Sequence, residues 1–216
     1  MKKNKGLIFG LDSSIFLFIS IFAFIFIFPI IDNKVIHDFF ITISYILVLL
    51  SIFSIIETHT KKFSYLIVIA IIANILMYFA DNEFVRVFTF LISVTTFTIA
   101  TGILIKHVSI SKNVTVGIII QAISGYLLIG VIGVLLNAIL LGFDENALLF
   151  SSVGNRFSSI IYYSFVTLTT IGYGEILPLS VPARSISIFI GVSGQIYLTV
   201  VIAMIIGKFL RSKIMK

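Results

Sequence analysis

The sequence predicts an all-α integral membrane protein: six transmembrane helices, with a short re-entrant helix and an irregular glycine-bearing loop between the last two. Three observations carry this reading. Of the 216 residues, 59% are hydrophobic and only 11% charged, whereas about a quarter of a soluble domain is charged. The apolar residues gather in runs near the roughly 20 residues a spanning helix needs. The basic residues sort to one side of those runs.

The first apolar run, 13–31, follows the basic start "MKKNKG". It is too long for a signal-peptide core and no small-x-small cleavage site follows it, so it is expected to be retained as the first span. Runs at 39–56, 63–80 and 84–105 predict the next three spans. A fifth covers 115–142, and a sixth covers 182–208, opening on Pro182 where a helix's first turn tolerates proline. Between these two lies "FSSIIYYSFVTLTT", residues 157–170. As a helix it would be only about 21 Å long, too short to cross.

Charge fixes the orientation. With the N-terminus inside, 11 of the 15 basic residues are cytoplasmic, and only Lys34, Arg86, Arg156 and Arg184 fall outside. Seven of the nine acidic residues are outside, leaving Asp12 and Glu57 within. Excess basic charge in the inner loops predicts cytoplasmic N- and C-termini and a short segment that re-enters from outside. The net charge of +6 is therefore a topology signal and does not point to nucleic-acid binding. Membrane lipids are the expected surroundings. The isoleucine- and lysine-rich composition and small cytoplasmic parts point to a prokaryotic cell membrane.

The chain has no cysteine, which excludes disulfides and thiolate chemistry. The spans carry no Asp, Glu, His or Lys in their middles, so no enzyme and no cofactor are expected. His37, His59 and His107 sit near membrane edges, where a histidine either titrates near neutral pH or is merely solvated.

The stretch "TLTTIGYGEILP", 167–178, has a backbone that must be helical, barrelled, or lining a water-filled path at membrane depth. Gly172 and Gly174 free it to take positive φ. Alternating handedness along such a stretch turns successive carbonyls toward one side, and a column of carbonyls replaces the water shell of a dehydrated cation. The letters "GYG" alone also describe an ordinary glycine-rich turn. Their place after a short apolar segment and before a spanning helix favours the first reading.

"TLTTIGYGE" resembles the selectivity-filter signature of the potassium channel family, T-x-x-T-[VI]-G-Y-G-D. The likeness extends to Pro178 and to Tyr162 and Tyr163, and covers residues 114–212. It implies a passive, potassium-selective channel whose ion sites are carbonyls of Thr170, Ile171, Gly172 and Tyr173, with Gly174 completing the filter. K⁺ would be the permeant ion and no cofactor is implied. The Thr170 hydroxyl would add the innermost ligands, while Tyr173 would point away from the ion. Thr169, Glu175, Tyr162 and Tyr163 would support the filter. One motif per chain implies a homotetramer, with three further copies completing a tetrameric pore. Glu175 departs from the family's aspartate by one methylene, and Val166 stands where some members carry a glutamate.

In the sixth span, Gly194 falls where the family has its hinge glycine. Close helix packing is the plainer reading for membrane glycines, and is favoured at Gly191. Gln195, Thr199 and Ile202 recur at helical spacing and are cavity candidates, although Gln195 would equally bond a neighbouring helix. Ile202 and Ile206 are candidates for a constriction that closes by dewetting. The tail "GKFLRSKIMK" is expected to anchor in lipid headgroups, with no soluble domain after it.

Residues 1–108 are expected to form a four-helix domain resembling a voltage sensor, and 114–216 a pore domain. The fourth span, "FVRVFTFLISVTTFTIATGILI", has Arg86 alone at its outer end. A charge moved through the membrane field is worth about 2.3 kcal/mol per 100 mV, and this helix carries none in its body. Its threonines are expected to bond back to their own helix or across to neighbours such as Asn74. Glu57 and Asp81 fall at span ends. A pore without steep voltage gating follows. The alternatives are a weakly selective cation channel, a non-conducting channel-like subunit, or a transporter. A transporter would tend to show inverted repeats and buried ionisable residues, and neither is evident.

Overall fold

The computed structural model describes residues 11–31, 34–56, 61–79, 82–111, 113–150 and 155–214. Lys2, Lys3, Lys5, Glu57, His59, Asp81, Lys112 and Lys216 lie outside the described residues, as does the side chain of His37.

The chain is mostly helical: α1 Leu11–Phe22, α2 Lys34–Ile56, α3 Lys61–Phe79, α4 Glu83–Ile110, α5 Val116–Phe143, α6 Arg156–Leu168 and α7 Val181–Ile214. Among the described residues, three helices are long and apolar enough to cross a membrane: α4, α5 and most of α7. Shorter apolar helices cover Leu11–Ile27, Thr42–Phe53 and Phe63–Phe79.

Local chemistry sets the ends. The Asn82 and Asn155 side chains accept from the backbone N–H groups of Phe84 and Phe157, at 2.8 and 3.0 Å, at the starts of α4 and α6. Ser180 Oγ accepts from Ala183 N at the start of α7, where Pro182 has no N–H to satisfy. Beyond Phe22, α1 widens into a π-helical turn at Ala23–Ile27 and then tightens into a 3₁₀ turn at Phe28–Ile30. Pro29 explains both, because its ring would clash with the carbonyl four residues back in a regular helix.

One core runs through α1 to α6. Leu17, Ile21, Phe24, Leu49, Ile52, Phe97, Leu128 and Leu135 are all fully enclosed. The most extensive helix contact is between α4 and α5, which run antiparallel after a link of only five residues, 111–115. α4 and α1 therefore pack on the α5 of their own chain, while α2 and α3 pack on α1, on each other and on α4. A smaller core of Val108, Ile118, Ala122, Tyr197 and Val201 joins the end of α4 to the start of α5 and the far half of α7.

The α4 hydroxyls follow the plainer of the two expectations. Thr89, Thr95, Thr96 and Thr98 each donate to the carbonyl four residues back. Thr89 additionally reaches Ala73 O of α3 at 3.2 Å. Such interhelical bonds are worth about 0.6 kcal/mol on average, so they supplement packing and do not drive it.

The all-α expectation needs one correction. Leu148–Phe150 (β1) pairs antiparallel with Ile176–Pro178 (β2), setting Leu149 opposite Leu177. This ribbon ties the segment before α6 to the segment after the glycine loop. The two ends of the stretch from α6 through the loop are thereby held together.

Glycine lets α6 approach α5. A Cβ on Gly130 would collide with the Phe165 ring, whereas one on Gly102 would meet nothing within 4 Å. Gly130→Val is expected to destabilise the fold by about 1–3 kcal/mol through overpacking. Thermal melting followed by circular dichroism should show a clear drop for Gly130→Val, and no drop or a slight rise for Gly102→Ala.

Candidate functional site

α6 spans 13 residues, about 20 Å, against a hydrocarbon core of about 30 Å. It therefore ends within the thickness its neighbours cross. Thr169 N bonds to Phe165 O and Thr170 N to Thr167 O, at 3.0 and 3.1 Å. Ile171 N and Gly172 N then both fold back to Val166 O, at 3.1 and 3.4 Å. The helix is thus unwound over its own last turn.

Beyond that point the backbone alternates in hand. Thr170, Gly172 and Gly174 have φ of 61°, 56° and 92°, while Ile171 and Tyr173 between them are not left-handed. This is the alternation expected from the glycine spacing, with one residue more than glycine alone would provide. A β-branched residue at positive φ is an outlier, and strain of this kind costs about 1–3 kcal/mol. Surrounding bonds hold Thr170 in place: its own N–H is bonded, and Gln195 Nε2 of α7 approaches its Oγ1 at 3.5 Å.

Three successive side chains of α6 fasten it in three directions. The Tyr162 hydroxyl donates to the Glu175 carboxylate just past the loop. Tyr163 donates to Ser187 Oγ of α7 at 2.6 Å, and Ser187 passes its own proton to Ala183 O at 2.7 Å. Ser164 Oγ accepts from Asn137 Nδ2 of α5 at 3.1 Å, with both residues fully buried. Lower down, Tyr126 of α5 points its hydroxyl at Leu168 O, 3.4 Å away.

Tyr162, Tyr163, Thr169, Thr170 and Glu175 are thus brought together with the loop. Thr169 Oγ1 bonds to Phe165 O at 2.7 Å, closing the helix end. Tyr173 is 72% exposed, so its ring is little packed within the chain. Sequence reasoning missed Asn137, Ser164, Ser187 and Tyr126. A lone Asn in an apolar span was the one available signal, since a polar side chain in a span faces a partner and not lipid.

α7 runs unbroken through Gly191, Gly194 and Gly207. A Cβ on Gly194 would lie 2.6 Å from Leu168 O, so packing against the end of α6 demands glycine there whether or not α7 bends. At 3.6 residues per turn, Ile190, Gly194, Tyr197 and Val201 form the stripe buried against the protomer. Gln195, Thr199, Ile202 and Ile206 share the opposite, exposed face. Thr199 bonds back to Gln195 O at 2.8 Å. α4 buries an uncharged face, including Thr89, Ser93, Thr96, Phe97 and Thr101.

Residues 122–211 match the family model described as an ion channel. No curated protein and no solved structure matches the chain. The matched region runs from the first turns of α5 to the end of α7 and contains the whole site, which supports an ion channel in the membrane.

Tyr162→Phe removes the hydroxyl that meets Glu175 while keeping the ring. At neutral pH, ion flux through Tyr162→Phe should start normally and then decline several-fold faster than wild type in sustained recordings.

Proposed function

We propose that four copies of this chain surround one axis and pass K⁺ through a filter of backbone carbonyls from Thr170, Ile171, Gly172 and Tyr173, with Gly174 at its outer end. The observation that carries this reading is the alternating φ at Thr170, Gly172 and Gly174, directly after a helix too short to cross. Carbonyls so turned serve as a ready-made replacement for an ion's hydration shell.

The need for further copies follows from what one protomer leaves open. Ile171 and Tyr173 are 55% and 72% exposed, in a stretch whose backbone cannot face lipid. Ile188, Phe189, Val192 and Ile196 of α7 are also uncovered. Assembly around the loop buries both sets and gives Tyr173 neighbours to brace against. The C-terminal end of α6, carrying about half a negative charge, would then aim at the central path.

In this reading α1, α2 and α3 supply three further crossings, both termini are cytoplasmic, and the four N-terminal helices sit on the pore of their own chain. Gln195 and Thr199 face the central cavity. Ile202 and Ile206 form the inner constriction, and Gly194 is the candidate hinge about which the inner half of α7 moves. With no charge in the body of α4, voltage does little work on it.

Purified protein in liposomes should carry K⁺ down its gradient, be blocked by barium, and give reversal potentials that follow K⁺ over Na⁺. Gly172→Ala forces an L residue into φ +56°, at about 1–2 kcal/mol in each of four strands. It should abolish selective flux while tetramers persist on native gels. A reversal potential indifferent to K⁺ and Na⁺ would replace this reading with a weakly selective cation pore.

Voltage dependence is tested separately. Between about −100 and +100 mV, where each transferred charge counts for about 2.3 kcal/mol per 100 mV, the conductance–voltage relation should stay shallow. A steep sigmoid tracking movement of α4 would refute the absence of voltage sensing.

A further inference from the structure

α4 ends at Ile110, with Ser111 N–H returning to His107 O at 3.1 Å. The last carbonyls of a helix have no donor within it. Two of these, Val108 O and Ser109 O, accept instead from Lys208 Nζ of α7, the second at 2.8 Å. One turn earlier on α7, Met204 Sδ lies 3.3 Å from Ser109 Oγ. Lys208 thus departs from the expectation that the basic tail is a lipid anchor: its ammonium is spent on the carbonyl end of α4. A cation at that end is where the helix dipole favours it.

The placement of this contact gives it a consequence. Lys208 continues the α7 stripe of Tyr197, Val201 and Met204, which faces α4 and α5, and is opposite in rotation to Ile202 and Ile206. The far half of α7 otherwise has only the small core around Val108, Ile118 and Ala122, with Tyr197 donating to Ala122 O at 2.7 Å. The main core does not reach it.

We propose that Lys208 is a latch through which α4 holds the inner end of α7 back from the pore axis, so that the N-terminal helices control the constriction without carrying gating charge. The inference rests on the channel reading above. An engaged latch keeps Ile202 and Ile206 apart across the axis, and its release lets them approach. α4 is thereby coupled to the constriction by direct contact, through its own C-terminal carbonyls.

The absence of cysteine allows a direct test. Ser109→Cys with Met204→Cys should cross-link readily with a short bis-thiol reagent, and adding Lys208→Met should reduce the yield several-fold. Equal yields, or none in either background, overturn the latch whether or not the protein conducts. In single-channel recordings Lys208→Met should lower open probability several-fold with ion selectivity unchanged. Lys208→Arg should preserve open probability, and the 109–204 cross-link should restore it in the Lys208→Met background. An unchanged or raised open probability in Lys208→Met overturns the proposal, while wild-type protein that fails to conduct K⁺ counts only against the channel reading.

Discussion

The need to satisfy every backbone polar group at membrane depth governs this structure. Regular helices meet it internally, and most of the chain is regular helix. The stretch from Thr169 to Glu175 does not, because α6 stops short and its continuation reverses hand at alternate residues. Two N–H groups fall back on Val166 O, while the succeeding carbonyls are left to whatever lies on the other side. In the proposed reading a desolvated cation occupies that side and other copies of the strand surround it.

A backbone held in that shape needs a rigid mount, and the surrounding contacts supply one. Tyr162, Tyr163 and Ser164 reach the far end of the loop, α7 and α5 respectively. The β1–β2 ribbon ties together the chain before α6 and the chain after the loop, and bare glycine faces let α5 and α7 come close to α6. Apart from the Glu175 carboxylate these fastenings are uncharged, which avoids the cost of burying an unpaired ion. The four N-terminal helices observe the same economy: their interior polar groups are hydroxyls and amides, mostly bonded within one helix turn.

Several elements were legible before any coordinates. The length of 157–170 and the glycine spacing in "TIGYG" each reflect a local rule, so the sequence is enough to apply them. α4, α5 and α7 lie close to their expected positions. The β ribbon was not legible, because three-residue strands carry no periodicity to read. Nor was the left-handed Thr170, since threonine avoids that conformation unless the fold imposes it. Asn137 with Ser164, and Lys208 with the end of α4, pair residues 27 and about 100 positions apart. Such pairings depend on how helices rotate against one another, and no local pattern encodes that rotation.

By itself, then, the sequence determined that this is a helical membrane protein, where its apolar helices run, and which short stretch would break regular backbone. Those properties depend on hydrophobic length and on glycine, which act residue by residue. Tertiary structure decided the rest. It set which face of α7 is covered, which side chains brace α6, and that α4 ends against the far half of α7. Each of these follows from the packing of helices at particular distances and rotations, a property of the folded chain as a whole.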